Sequence, residues 1–217
     1  MSLKVLLADD HQISNEGLRV LLERGGKFEV VGMVNSGREV ERMVRRLGPD
    51  LVIMDIGMPE LNGIEAARKL RRLHPKVTII ALTMHDDRRY VSAMMGAGVR
   101  AYILKENAVE ELELAIKTVA AGEIYISKAL REKYQDQLSE IISGSEQSLP
   151  DILTGREREV LQLLAEGKKT TQIGELLHVS AKTIETHRSN IMKKLRLNTL
   201  ADLTRYAIRE GLVSVEG

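Results

Sequence analysis

A doubly wound parallel α/β domain followed by a separate all-helical domain is the fold class this sequence predicts. Three observations carry it. Residues 3–121 alternate strand-like and helical apolar patterns through five βα units, the rhythm of a parallel sheet with helices on both faces. Polar residues able to do chemistry stand at the C-terminal tips of the strand-like runs, where such sheets bind ligands. From Leu153 onward no strand pattern recurs.

The strands are expected at 3–8, 28–34, 51–54, 77–82 and 100–104, each a short apolar run. Helical periodicity fills the gaps at about 12–24, 37–47, 63–73, 87–96 and 108–121. Right-handed crossovers make the sheet doubly wound, and the length suits a five-stranded flavodoxin-like domain over residues 1–125. Residues 126–150 are expected as an interdomain linker. Its first part, Ser127 to Ile142, is charged and reads as an exposed helix, and 143–150 lacks a periodic apolar pattern. The helical domain is expected over 151–217. Thr154 with Glu157 three residues later is a capping box. It opens a helix to about Glu166, which Gly167 ends. A short helix follows from Thr170 to Leu177, then a turn at His178-Val179-Ser180. A longer helix runs from Ala181 to Leu195 and a last one covers about 199–209. This is a helix-turn-helix arrangement, with Leu200, Leu203, Ala207 and Ile208 expected as a dimer face.

The chain of 217 residues is long enough for one large domain or two small ones. Its net charge of +1 selects no partner, so local charge must do so. The absence of cysteine excludes disulfides and thiolate metal sites. No apolar run approaches the roughly 20 residues of a membrane span, and Met-Ser-Leu-Lys leads directly into a strand, so neither membrane insertion nor a signal peptide is expected. A cytoplasmic location is the expectation.

The strand tips form one constellation. Val5-Leu6-Leu7-Ala8 ends in Asp9-Asp10, Leu51-Val52-Ile53-Met54 ends in Asp55, Val77–Leu82 ends in Thr83, and Ala101–Leu104 ends in Lys105. Three carboxylates together repel one another unless a hard cation relieves them. Mg²⁺ takes oxygen ligands, and one or two carboxylates usually hold it. Asp9, Asp10 and Asp55 are the candidate ligands, with the Gly57 carbonyl as a further oxygen. Lys105 would neutralise negative charge and Thr83 would donate a hydrogen bond. Positioning and charge neutralisation are what phosphoryl transfer to a carboxylate requires, and Asp55, alone on the central strand, is the candidate nucleophile.

The stretches Leu7-Ala8-Asp9-Asp10-His11, Asp55-Ile56-Gly57-Met58-Pro59, Asn62-Gly63-Ile64-Glu65-Ala66, Ala81-Leu82-Thr83 and Tyr102-Ile103-Leu104-Lys105 resemble the receiver domain of bacterial two-component response regulators. The resemblance implies that Asp55 accepts phosphoryl from a sensor histidine kinase with Mg²⁺ on Asp10 and Asp55 and with Asp9 nearby. It also implies that Thr83 and Tyr102 are a switch pair around the phosphoryl oxygens. Lys105 is followed by Glu106-Asn107 where many receivers carry proline. His85 would flank the phosphoryl entry, a solvated loop position. His11 is read as the start of the first helix rather than as a ligand.

In the helical domain, residues 182–196 carry a local charge of +4. A basic helix after a tight turn fits major-groove insertion. Ile184, Ile191 and Leu195 form its apolar, docked face. Lys182, Glu185, Thr186 and Ser189 lie opposite and are aimed at base edges, with Thr183 beside them in the same helix turn. Arg188, Lys193 and Lys194 are assigned to phosphates. The stretches Leu153–Leu161, Glu166-Gly167, Ile173–Leu177 and Val179–His187 resemble the LuxR-type helix-turn-helix, with Gly155 where proline is common. His187 is open between a backbone contact and a structural bridge between helices. The two resemblances together are those of the NarL/FixJ subfamily of response regulators.

The expected function is therefore a phosphorylation-controlled transcription regulator, not an enzyme beyond Mg²⁺-dependent phosphorylation and dephosphorylation of Asp55. Its expected partners are a sensor histidine kinase, double-stranded DNA and a second copy of the chain when phosphorylated, with RNA polymerase a further candidate. The alternative is a phosphorylation-independent regulator whose receiver serves as a dimerisation module. A phosphohydrolase using Asp55 would need a general acid and a substrate pocket, and the sequence offers neither.

Overall fold

The run Val5-Leu6-Leu7-Ala8 is extended because it is buried on both faces, which only the interior of a parallel sheet offers to four consecutive apolar residues. The computed structural model describes residues 2–143 and 152–213. The described residues before 144, apart from Pro59–Leu61, form one compact unit, and those from 152 onward belong to a second. In the first, strands β1 (Leu3–Ala8), β2 (Phe28–Val34), β3 (Leu51–Met54), β4 (Thr78–Thr83) and β5 (Ala101–Leu104) alternate with helices α1 (Gln12–Glu23), α2 (Gly37–Leu47), α3 (Gly63–Leu73), α4 (Arg88–Gly96) and α5 (Ala108–Ala120). Local chemistry sets several of these limits. Ser36 caps α2 by accepting from the Arg38 amide, and Gly48 ends it in a left-handed conformation. Asn62 caps α3 by accepting from the Glu65 amide.

The sheet has six strands, not the expected five. The order is β2-β1-β3-β4-β5-β6, with β6 (Tyr125–Ile126) parallel to β5. After it come α6 (Lys128–Lys133), a turn of 3-10 helix at Gln135–Gln137 and α7 (Leu138–Ser143). Residues 126–143, expected as the first part of a linker, are thus packed structure in the first unit, and α7 lies on α4. The reason is that Leu130 and Ile141, apolar residues in a largely polar and charged stretch, are 1% and 0% exposed. Residues 144–150 of the expected linker lie outside the described residues.

The strand order reverses between β1 and β3, the switch point at which doubly wound sheets bind ligands. Register fixes what sits there. Ala8 pairs with Met54, so Asp9 and Asp55 are the next residues on adjacent strands. Thr83 pairs with Leu104, which places Lys105 just past Thr83. Leu18 and Leu22 of α1 share a core with Leu112, Ala115 and Ile116 of α5 on one face of the sheet.

The second unit consists of α8 (Gly155–Ala165), α9 (Thr170–Leu177), α10 (Ala181–Leu195) and α11 (Leu200–Arg209). Thr154 and Glu157 form the expected capping box. Gly174 is required by the turn after α9, since a Cβ there would stand 2.7 Å from the Val179 carbonyl oxygen. Ile184 and Ile191 are fully buried in the core with Val160, Leu161 and Ile173, and Leu195 packs against it. The expected dimer face is corrected in part. Leu203 and Ala207 are fully buried in this same core, whereas Leu200 and Ile208 face outward, 42% and 37% exposed. Leu200, in the first turn of α11, lies nearly in line with Ala207, and Ile208 lies about 100° round the helix from it, so apolar spacing alone does not say which of the four the domain covers.

Candidate functional site

Three acidic side chains meet at the β1–β3 switch point. Asp9 and Asp55 are 5% and 6% exposed, and Asp10 is exposed. One oxygen from each of the three, with a ring nitrogen of His11, fits within 4.8 Å. Lys105 reaches in from the end of β5, and its Nζ lies 2.7 Å from Asp9 Oδ2 and 2.7 Å from Asp55 Oδ2. Asp55 Oδ1 accepts from the Ile56 amide at 2.6 Å, so both oxygens of that carboxylate are held.

The charges set one another. Burial opposes ionisation of Asp9, but the Lys105 hydrogen bond and the His11 amide outweigh it and hold the carboxyl below the usual range. Burial likewise disfavours the Lys105 ammonium, and the Asp55 and Asp9 carboxylates outweigh it, so the lysine stays charged beyond its ordinary pH range. Three hard oxygen donors within one small volume suit Mg²⁺. That fit is a matter of donor chemistry, and the pair of bonds from Lys105 shows that the two buried carboxylates are already within reach of one cation.

Several residues outside the sequence expectations shape the site. Ser14 Oγ donates to Asp9 Oδ2 at 3.0 Å, and Asn15 Nδ2 donates to the Asp9 carbonyl at 2.7 Å. Both belong to the first turn of α1. A helix beginning three residues past Asp9 turns its first residues back to that strand tip, which was the signal available for them. The His11 ring, read from sequence only as the helix start, holds Nδ1 at 3.2 Å from Asp9 Oδ1 and 3.1 Å from Asp10 Oδ1. Gly57 sits two residues beyond Asp55 in the following loop.

Thr83 and Tyr102, the expected switch pair, converge on the backbone of His85. The buried Thr83 hydroxyl accepts from the His85 amide at 3.4 Å, and the Tyr102 hydroxyl donates to the His85 carbonyl at 2.8 Å. Tyr102 is fully buried. Burial first, and the nearby Asp55 charge second, raise its phenol well above the ordinary range, so it is a permanent donor. The His85 ring is not simply solvated. It stacks on Tyr90 of α4 with centroids 4.1 Å apart.

In the second unit, α10 exposes Lys182, Glu185, Thr186, Ser189 and Lys193, with Arg188 half-buried. Two residues assigned to DNA have local duties. Thr183 joins the N-terminal cap, its amide donating to Ser180 Oγ at 3.1 Å and its hydroxyl 2.8 Å from that oxygen. Lys194 donates to Glu157 Oε2 at 2.7 Å, tying α10 to the capping box of α8. His187 is half-buried.

Known proteins resemble the chain along its length. Residues 5–117 match the response regulator receiver domain, and residues 151–207 match the luxR family of bacterial regulatory proteins. The transcriptional regulatory protein DegU of Brevibacillus brevis is 34% identical over 226 residues, covering 98% of this chain and 96% of its own. The oxygen regulatory protein NreC of Staphylococcus epidermidis is 36% identical over 218 residues, covering 97% and 99%. Among solved structures, RcsB from Salmonella enterica serovar Typhimurium, bound to promoter P1flhDC in the presence of the phosphomimetic BeF3-, is 29% identical with a TM-score of 0.59, covering 99% of this chain and 100% of its own. No helix among the described residues is long and apolar enough to cross a membrane. A carboxylate cluster at the switch point of a parallel sheet, a helix-turn-helix after it, and matches to both families in that order place this chain among the two-component response regulators of the NarL/FixJ subfamily, transcription regulators that couple a receiver domain to a LuxR-type DNA-binding domain.

Proposed function

We propose that Asp55 is the phosphoacceptor of this regulator and that its phosphorylation by a sensor histidine kinase controls DNA binding and dimerisation through the helical domain. The observation that carries the reading is Lys105, bonded at once to Asp9 and Asp55 at 2.7 Å. An ammonium so placed stands where a phosphoryl group on Asp55 would put negative charge. Asp9, Asp10, Asp55 and the Gly57 carbonyl would hold Mg²⁺, which supplies charge neutralisation for the phosphoryl oxygens. Thr83 supplies a hydroxyl on the same sheet edge, and Tyr102 fixes the loop that Thr83 begins. The chain's own chemistry is confined to Asp55.

On DNA, Lys182, Glu185, Thr186 and Ser189 are assigned to base edges and Arg188 and Lys193 to phosphates. Lys194 and Thr183, occupied within the domain, hold the helix in place instead. RcsB bound to a promoter with BeF3- present supports both halves of the reading. The domains are assigned as a receiver through residue 143 and a DNA-binding domain from residue 152, acting in the cytoplasm, where a kinase and DNA are both at hand. RNA polymerase is a further partner of this reading.

Sedimentation of the protein with Mg²⁺, with and without beryllofluoride, beside Asp55→Asn tests it. A shift from monomer to dimer that Asp55→Asn abolishes is the expected result. An unchanged oligomeric state together with unchanged DNA affinity would overturn it in favour of a receiver used only for dimerisation.

A further inference from the structure

The segment that follows the sheet is attached to the loop that Thr83 and Tyr102 both hold. Thr83 and Tyr102 both bind the backbone of His85, and the next residue, Asp86, is held from outside the sheet. Lys133 Nζ lies 2.5 Å from Asp86 Oδ2, and the Tyr134 hydroxyl donates to the Asp86 carbonyl at 2.9 Å. That same hydroxyl accepts from the Arg88 amide at 3.0 Å. The Arg88 guanidinium continues the line, with Nη1 2.5 Å from Gln137 Oε1 and Nη2 3.0 Å from Glu140 Oε2. Behind these polar contacts, Ile141 of α7 is fully buried, with α7 packed on α4.

We infer that residues 133–143 are a strap that reads the β4–α4 loop and releases when Asp55 is phosphorylated. The inference rests on the phosphoacceptor reading above and adds a route out of the site. A phosphoryl group on Asp55 offers the Thr83 hydroxyl a stronger, charged acceptor. Turning toward it withdraws that hydroxyl from the His85 amide and displaces residues 83–86. The strap's contacts are then broken at their geometric centre, because the Tyr134 hydroxyl can bridge the Asp86 carbonyl and the Arg88 amide only while those two groups keep their present spacing.

Two physical features make the strap releasable. Its α-helix, α7, has six residues, far below the length at which a helix stands alone in water. Docking and ordering are therefore one equilibrium, and losing the dock melts the helix. Most of its polar contacts are also solvent-exposed. Glu140 is 64% and Lys133 46% exposed at the side chain, so each ion pair is weak and salt-sensitive. The buried attachments are Ile141 and the half-buried Tyr134. Release adds residues 133–143 to the chain that joins the two domains and uncovers the α4 surface, giving the DNA-binding domain longer reach.

Amide hydrogen exchange of the full chain tests this, with ¹⁹F NMR on the same samples to report beryllofluoride held at Asp55. With Mg²⁺ and beryllofluoride, peptides covering 133–143 are expected to exchange at least tenfold faster while those covering 157–164 stay unchanged. Tyr134→Phe, which removes only the bridging hydroxyl, is expected to exchange fast in that segment without beryllofluoride. Asp55→Asn should not respond. Bound fluoride with unchanged or slower exchange in 133–143 would overturn the strap and leave the phosphoacceptor reading standing, as would slow exchange in Tyr134→Phe. Absence of bound fluoride in the wild type would overturn both.

Discussion

Gly63 stands against Asp55 so closely that a Cβ on it would meet the Asp55 carbonyl oxygen at 2.1 Å. The Gly63 amide also donates to the Ile56 carbonyl at 2.9 Å. The first residue of α3 thus packs onto the backbone that aims the acidic side chain, and only glycine permits the approach.

Gly63→Ala should therefore move the site as well as strain it. The obstructing atom is backbone, so the neighbour cannot rotate away. The expected cost is about 2 kcal/mol, in the range for overpacked sites, with beryllofluoride uptake reduced severalfold. Chemical denaturation and fluoride binding check the two parts. A variant of wild-type stability and uptake would show that α3 shifts freely.

Lys105→Met leaves two buried carboxylates facing each other without their cation. Breaking such a pair costs about 3 kcal/mol, since Lys105 is only 13% exposed at the side chain. Mg²⁺ should recover most of the loss, because a divalent ion answers the same repulsion. Thermal unfolding of the variant with Mg²⁺ and with EDTA measures it. A variant that Mg²⁺ does not rescue would show that these oxygens do not share a metal.

The Glu157–Lys194 pair gives the helical domain an acid dependence. Burial opposes ionisation of Glu157, and the Lys194 hydrogen bond and the Thr154 cap outweigh it, lowering its pKa. A lowered carboxyl contributes stability above its unfolded value, near 4.5, and loses that contribution as pH falls through the folded value. Lys194→Met should thus cost about 1 kcal/mol at pH 7, discounted for a lysine 38% exposed. The difference from wild type should shrink as pH falls below 4.5 and vanish once pH is below the folded value. Denaturation curves at pH 7 and at acid pH decide it, and a difference that persists in acid would point to lost packing instead of the ion pair.

The same pair separates two neighbouring lysines on DNA. Lys193→Ala should weaken binding to every sequence about fivefold and lower the slope of log affinity against log salt by about 1. Lys194→Met should leave the slope unchanged. Titrations at several salt concentrations read both. Equal slope changes would return Lys194 to the phosphate contacts.

Leu203 and Ile208 should part in the same way. Leu203→Ala removes a fully buried side chain and should cost about 3 kcal/mol of folding stability. Ile208→Glu, on the outward side of α11, should leave stability within about 0.5 kcal/mol and weaken self-association instead. Thermal melts and sedimentation separate the two, and a destabilised Ile208→Glu would place that residue in the core.

The sequence alone determined the elements whose signals are local. The strands ending in Asp9, Asp55, Thr83 and Lys105 are continuous apolar runs that only a doubly covered sheet accommodates, and their tips marked the site. Thr154 with Glu157 opened α8 where the structure begins it, since a cap depends on residues three apart. Tertiary structure alone decided what depends on distant partners. Tyr125–Ile126 is a strand only because the edge of β5 is there to pair with. Ile141 is core only because α4 lies under it. Lys194 looked like any exposed cation until Glu157, 37 residues earlier, came within 2.7 Å. Ser14 and Asn15 joined the site because α1 turns back onto Asp9. A periodic pattern records which side of an element is apolar, and a cap records where it starts. Which neighbour covers that side, and which charge meets which, is fixed only when segments far apart in sequence are packed together, because burial and ion pairing act through space.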